Sequence, residues 1–162
     1  MQVASDDTWA SYGRTVVEIV RPEEGTLTIR SAPEADPGRW PWPSEEPVYI
    51  LTAWDPGPAR PGPAINRARQ AALEDDLRPL AVAMAAANGV DPVTGHREEG
   101  VAVRGVSESV ILALGARYGQ DAVFAWTPTA WSIVGCRDGR RLTSGWTLGR
   151  AGPAGPGLQA DR

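Results

Sequence analysis

Residues 48–54 read VYILTAW, an apolar run interrupted only by Thr52, and the turn residues Asp55, Pro56 and Gly57 follow it directly. A short apolar run closed by a turn signal is typical of a strand that is buried on both faces. The sequence therefore predicts that this segment is a central strand of a β-sheet.

The segment before this strand contains a predicted hairpin and a long stretch of loops. Residues 15–20 and 26–30 alternate apolar with polar residues around a Pro-Glu-Glu-Gly turn, which is typical of two antiparallel strands. Nine of the fifteen prolines lie between Pro33 and Pro63, so we expect loops on both sides of the central strand.

Downstream of the strand, the pattern alternates between helix and strand. Residues 65–87 are rich in strong helix formers, and Pro79 should kink or end this first helix. The other predicted elements, in chain order, are a strand at 98–104, a helix that Ser107 caps and Gly119 ends, and a hairpin at 122–126 and 131–136.

The resulting order is hairpin, strand, helix, strand, helix, hairpin. Strands separated by helices imply crossover connections and some parallel pairing, whereas hairpins add antiparallel strands. We therefore predict an α/β (α+β mixed) fold, with a single mixed β-sheet, two main helices packed on it and terminal β-hairpins. We expect an N-terminal extension at 1–13, one domain at 14–148, and a disordered tail at 149–162, which is rich in Gly and Pro and lacks periodicity.

Composition excludes several classes of protein. The 16 basic residues are all Arg, and the formal net charge of −4 provides no positive field for nucleic acid, so we expect no nucleic-acid partner. The absence of Lys excludes Schiff-base chemistry and a P-loop. No apolar run reaches the roughly 18 residues that span a bilayer, so we expect no membrane partner.

Composition also predicts a compartment and a source. A single cysteine and the absence of a signal-peptide pattern predict a cytoplasmic protein. The abundance of Ala, Gly, Pro and Arg is typical of a GC-rich bacterial genome.

Three blocks of the sequence have a recognisable order and spacing. They are YILTAWDP at 49–56, NRARQAALEDDL at 66–77, and EEGVAVRG at 98–105 followed by LALGARYGQDAVF at 112–124. Together they resemble a bacterial family of small proteins, the domain-of-unknown-function (DUF) family 3293, over most of residues 14–136. The resemblance implies positions for a site but no particular reaction.

The family pattern falls on four residues of this chain, which are Thr52, Asn66, Glu98 and Gln120. Asp55 and Asp121 stand where the family pattern has Asn, so both departures add negative charge beside the implied site. The resemblance thus adds Thr52 and Asp55 to the ligand-binding candidates.

Two amide side chains lie on the apolar stripe of the first predicted helix. At 100° per residue, Asn66 and Gln70 align with Leu73, Leu77 and Met84. They occupy the N-terminal end of the helix, beside the end of the central strand, where open α/β sheets bind ligands. Either they bind a ligand there, or they are a helix cap and a buried amide whose hydrogen bonds are satisfied within the protein.

Glu98 is the candidate catalytic residue. Glu98 and Glu99 begin a strand and point to opposite faces, and Glu98 shares its face with Gly100 and Ala102, which leave room for a ligand. The alternative is an ion pair with Arg67 or Arg69.

Gln120 follows the residue that ends the second helix and precedes a strand, so its side chain can reach across a sheet edge. Its alternative role is to bond the free carbonyls at the end of that helix. His96 is the only histidine, so a multi-histidine metal site is excluded, and we predict no metal and no cofactor.

We expect Asn66, Gln70, Glu98 and Gln120 to converge in one pocket at the sheet edge that binds a small polar molecule. A second hypothesis is an enzyme in which Glu98 is a general acid or base and the amides orient the substrate. A third is a protein-interaction module that uses the Pro-rich loop with Trp40 and Trp42. The oligomeric state is left open.

Overall fold

The computed structural model describes residues 4–33 and 38–152, and within these ranges the chain forms three helices and nine strands. In chain order they are α1 (Asp6–Arg14), β1 (Val16–Arg21), β2 (Gly25–Ser31), β3 (Val48–Leu51), α2 (Pro63–Leu77), β4 (Ala83–Val90), β5 (Arg97–Arg104), α3 (Glu108–Arg117), β6 (Ala122–Trp126), β7 (Trp131–Gly135), β8 (Arg141–Ser144) and β9 (Trp146–Ala151). None of the helices in the described ranges is long and apolar enough to cross a membrane.

The nine strands form one sheet in the order β8-β7-β6-β3-β5-β4-β1-β2-β9, and every pair of neighbours is antiparallel. The fold is therefore mixed α/β but mostly β, and the prediction of parallel pairing was wrong. Helix α2 connects β3 to β4 and α3 connects β5 to β6, but in each case one antiparallel strand lies between the two connected strands. This interleaving is the split β-α-β arrangement of ferredoxin-like folds.

β3 is an interior strand, as the apolar run predicted. It pairs with β5 on one side and with β6 on the other. Val48 and Ile50 belong to the hydrophobic core on one face of the sheet, and Tyr49 and Leu51 belong to the core on the opposite face. Burial on both faces explains why the run has no polar alternation.

The first predicted helix is shorter than expected. α2 ends at Leu77, and residues 83–90 form β4, which pairs with both β1 and β5. Pro79 cannot donate the backbone hydrogen bond that would continue the helix. Beyond Pro79, pairing with two strands outweighs the helix propensity of the alanines, so the prediction of helix up to Ala87 was wrong.

Two hydrophobic cores lie on opposite faces of the sheet. The outer core packs Leu73 and Leu77 of α2 and Ile111 of α3 against β3, β5 and β6. The inner core fills the concave side of the sheet, and fully buried Trp126 and Trp146 lie within it.

The sheet curls until its two ends nearly meet. Its edge strands β8 and β9 are consecutive in the chain, with only Gly145 between them. The N–H of Ala32, just after β2, donates to the carbonyl of Gly145 over 2.9 Å. The hydroxyl oxygens of Ser31 and Ser144 lie 2.7 Å apart. Residues 141–151 therefore act as one bent strand that joins β7 to β2 and nearly closes a barrel.

Both ends of the described chain take part in this architecture. Helix α1 lies, apart from its last residue Arg14, within the predicted extension at 1–13; the hydroxyl of Ser5 caps it, and Trp9 is only 1% exposed. Strand β9 pairs with β2 up to Ala151, three residues into the predicted disordered tail. Residues 1–3 and 153–162 of the predicted extension and tail lie outside the described residues.

Candidate functional site

A cavity of about 130 Å³, here called the inner cavity, lies inside the curled sheet where α1 covers it. Gly100 and Ala122 line it, and their small size leaves the space open. Its apolar walls come from four strands, through Val17, Ile50, Phe124 and Ile133.

A second cavity of about 550 Å³, here called the outer cavity, adjoins the first. The lining of the outer cavity is more polar and includes Asp55 and Arg60. The residues shared by both cavities, here called the mouth residues, are Ser11, Tyr12, His96, Glu98 and Gln120. An apolar chamber thus opens through a polar mouth.

Glu98 lies at the mouth because side chains alternate along β5. Residues two apart share a face of a strand, so Glu98 and Gly100 both line the inner cavity, and His96, directly before β5, lines it as well. His96 Nε2 lies 3.1 Å from Glu98 Oε1. Burial raises the pKa of Glu98 above its ordinary value, although the hydrogen bond with His96 opposes this shift.

The ion pairs on the other face of β5 do not involve Glu98. Arg67 Nε donates to Glu99 Oε1 over 3.3 Å, and Arg69 donates to backbone carbonyls. The alternative in which Glu98 pairs with either arginine is therefore not observed, and Glu98 remains directed at the cavities.

Asp55 lines the outer cavity from the loop at 52–57, and its φ of 42° lies in the left-handed region. Its N–H donates to Asn66 Oδ1 over 3.0 Å, and Asn66 Nδ2 donates back to Asp55 Oδ1 over 2.9 Å. Arg60 Nη1 donates to Asp55 Oδ2 over 2.8 Å. Burial alone would raise the pKa of Asp55, but the hydrogen bonds from Asn66 and Arg60 bring this pKa below its ordinary value. Asp55 is therefore an oriented, ionised carboxylate beside the mouth.

The other predicted polar residues hold the same loop. Gln70 Oε1 accepts a hydrogen bond from the N–H of Ala53 over 2.9 Å, and Gln120 Nε2 donates to the carbonyl of Trp54 over 2.8 Å. Thr52 Oγ1 donates to the backbone of β5 over 2.5 Å. These side chains come from α2, the end of α3 and the loop itself, and together they fix the backbone that carries Asp55.

The sequence-predicted residues are therefore brought together in two layers. Thr52, Asp55, Glu98 and Gln120 line one or both cavities. Asn66 and Gln70 are 2% and 4% exposed, and their described hydrogen bonds are to the loop and to α2. Both amides therefore support the loop and α2 from inside the protein. Asn66 does not cap α2, because the N-cap position is Gly62.

Helix α1 forms the cover of the inner cavity. Arg14 donates two hydrogen bonds to the carboxylate of Asp91, over 3.1 and 2.9 Å, and so fastens the end of α1 to β4. Burial, with the nearby carboxylates of Asp121 and Glu98, raises the pKa of Tyr12 well above its usual value. The Tyr12 hydroxyl is therefore protonated and available as a donor at the mouth.

Sequence analysis missed His96, Tyr12 and Arg60 as site residues. His96 had a usable signal, because it stands two residues before Glu98 and strand alternation places both on one face. The presence of a single histidine excludes only metal sites that need several histidines. Tyr12 and Arg60 have no local signal, since they reach the site only through the packing of α1 and of the loop after β3.

The double hydrogen bond of Asn66 predicts a contribution to stability. Asn66→Ala should lower the free energy of unfolding by about 1–3 kcal/mol, because the Asp55 N–H loses its partner. Urea unfolding measures this change. Arg67→Ala, at the next and largely exposed position of α2, is the control and should change stability by less than about 0.5 kcal/mol. Equal stabilities for the two variants would contradict the supporting role of Asn66.

Comparison with known proteins identifies a family without an assigned activity. Searches of curated proteins and of solved structures find no match to this chain. Residues 51–123 match the family model described as protein of unknown function (DUF3293). The matched segment runs from the end of β3 into β6, and it contains the 52–57 loop, Asn66, Glu98 and Gln120. The match over residues 51–123 supports membership of the DUF3293 family, in agreement with the resemblance in the sequence blocks of the chain.

Proposed function

We propose that this protein binds a small molecule whose apolar part enters the inner cavity and whose polar group lies against Glu98 at the mouth. The observation that carries the proposal is a buried apolar chamber that ends at an oriented cluster of polar side chains. Sites for small molecules combine mostly apolar walls with a few placed polar groups in this way.

The size of the inner cavity limits the apolar part of the ligand. Its volume of about 130 Å³ is similar to that of engineered protein cavities of roughly 150 Å³ that accept benzene. We therefore propose one ring, or a branched aliphatic group of the same size, for the inner cavity. The outer cavity of about 550 Å³ accommodates the remainder of the ligand.

The charges at the mouth limit the polar part. Asp55 is paired with Arg60, and Asp91 is paired with Arg14. Of the two carboxylates that line the inner cavity, Glu98 is the one without an arginine partner among the described residues, and it is best able to accept a further hydrogen bond there. A polar group with N–H or O–H donors, such as an amide, a base or an amine, suits this position.

Two other functions were considered from the sequence. Turnover with Glu98 as general acid or base uses the same pocket and is tested by assaying any ligand for chemical change. The interaction module is less well supported, because Trp40 and Trp42 pack onto the inner core. The ring centroids of Trp40 and Trp126 lie 4.8 Å apart, and those of Trp42 and Trp126 lie 6.3 Å apart.

A thermal-shift screen against metabolites, followed by cavity variants, tests the proposal. A ligand at about one hundred times its Kd should raise the Tm by about 5–10 °C. Ala122 faces the inner cavity, so Ala122→Leu should fill the cavity and abolish the shift. Ala113→Leu adds the same side chain on the exposed face of α3, and this variant should retain the thermal shift.

The proposal predicts a second effect at the polar end of the ligand. Glu98→Gln should reduce the shift while leaving the Tm of the free protein nearly unchanged, because the neutral amide fits the same space without a desolvated charge. A hit whose shift survives Ala122→Leu binds elsewhere. If every hit behaved in that way, the proposed function would be wrong.

A further inference from the structure

We propose that Asp55, His96 and Glu98 bind one first-row divalent cation of the Zn²⁺ type at the mouth of the cavities. Each offers one ligand atom, and these three atoms all lie within 4.8 Å of one another. The inference goes beyond the proposed binding of an organic molecule and stands on these side chains alone.

Two of the three distances between ligand atoms are close to those within a tetrahedral coordination shell. Zn²⁺ binds imidazole nitrogen and carboxylate oxygen at about 2.0–2.2 Å, which separates neighbouring ligand atoms by roughly 3.3 Å. His96 Nε2 lies 3.1 Å from Glu98 Oε1 and 3.5 Å from Asp55 Oδ2. A cation among the three atoms therefore needs side-chain rotations that bring the two carboxylates, whose ligand atoms lie within 4.8 Å of each other, to the same spacing.

The supports of Asp55 resemble those of a metal-binding carboxylate. Ligating groups are normally oriented by hydrogen bonds from a surrounding layer of side chains. Asn66, which is 2% exposed, bonds both the N–H and Oδ1 of Asp55, and this leaves Oδ2 directed at His96. Arg60 also donates to Oδ2 over 2.8 Å, but its side chain is 67% exposed and is free to move aside.

The local charges also favour a cation. Two carboxylates lie beside one imidazole. A neutral imidazole carries no positive charge to balance them, but its ring nitrogen can bind a metal ion through its lone pair. Three protein ligands leave a fourth position open, as in catalytic rather than structural zinc sites. That position faces the cavities, because His96 and Glu98 are both mouth residues. The prediction of no metal was based on the exclusion of sites with several histidines. The proposed site needs only one histidine.

Titration of the purified, chelator-treated full chain with Zn²⁺ by calorimetry, and with Co²⁺ by visible absorption, tests the site. We expect one equivalent of each ion to bind. His96→Ala and Asp55→Asn should each weaken binding by at least about tenfold. His96 is nearly half exposed, so His96→Ala is expected to fold, and circular dichroism verifies this.

Asp121→Asn is the matched control, since it removes one negative charge from the lining of the outer cavity outside the cluster. Its affinity for Zn²⁺ should equal that of the unmodified chain. No stoichiometric binding, or equal losses in Asp121→Asn and Asp55→Asn, would overturn the site. Ala122→Leu should keep Zn²⁺ binding even though it blocks the inner cavity, so failure of the organic-ligand proposal is separable from failure of the metal proposal.

Discussion

Ending the chain after Ser144 is expected to abolish the cooperative thermal transition of this protein. The truncation removes β9, which pairs with β2 from Thr26 to Ser31, and with it the fully buried Trp146. Loss of one buried tryptophan costs about 3–5 kcal/mol, and the strand pairing is lost in addition. These losses approach the total stability of a typical domain, about 5–15 kcal/mol. Thermal melts followed by circular dichroism measure the effect.

The control is a chain that ends after Gly152 and so keeps all of β9. We expect its Tm within about 2 °C of that of the full chain, because the sequence beyond this point has no periodicity. A cooperative transition in the shorter chain, within about 5 °C of the full-length value, would show that closure of the sheet by residues 141–151 contributes little.

Trp126→Ala should lower the free energy of unfolding by about 3–5 kcal/mol. Trp126 is fully buried at the centre of the inner core, and its ring lies 5.2 Å from that of Trp146 and 4.8 Å from that of Trp40. Alanine would leave a large cavity among these rings, which the surrounding sheet cannot close. Urea unfolding of the variant gives the change directly.

Trp126→Phe is the matched control. The indole N–H of Trp126 is buried without a hydrogen-bond partner among the described residues, so phenylalanine sacrifices no polar contact. We expect it to cost less than half as much as alanine, since most of the ring packing is kept. Equal losses for the two variants would mean that the cluster does not depend on packing at this ring.

The parts of the fold that local sequence patterns describe were predicted well. β3 is apolar on both faces, and α3 begins after Ser107 and ends before Gly119, as its capping signals indicated. β4 was missed because AMAAANGV has strong helix propensity, and its strand conformation depends on pairing with β1 and β5. Missing β4 made β5 seem to follow a helix directly, and this produced the expectation of parallel pairing.

The positions of the candidate residues in the fold were predicted better than their contacts. Alternation along β5 correctly separated Glu98 from Glu99, and the helical stripe correctly placed Asn66 and Gln70 on the buried face of α2. Helical spacing does not indicate which partner a buried amide hydrogen-bonds. It therefore could not show whether Asn66 and Gln70 bond a ligand or the 52–57 loop. Neighbours from distant segments, such as Tyr12 and Glu98 at the mouth, are brought together by tertiary packing and leave no local pattern.

The proposed function requires that the cavities joined at Glu98 form the binding pocket. Its most direct test is an NMR map of amide shifts in the ¹⁵N-labelled protein on addition of the best ligand from the screen. We expect the largest changes at His96, Glu98 and Gly100 and at residues 120–124, which line the cavities. Changes confined to the loop around Trp40 and Trp42, with none at these residues, would contradict it.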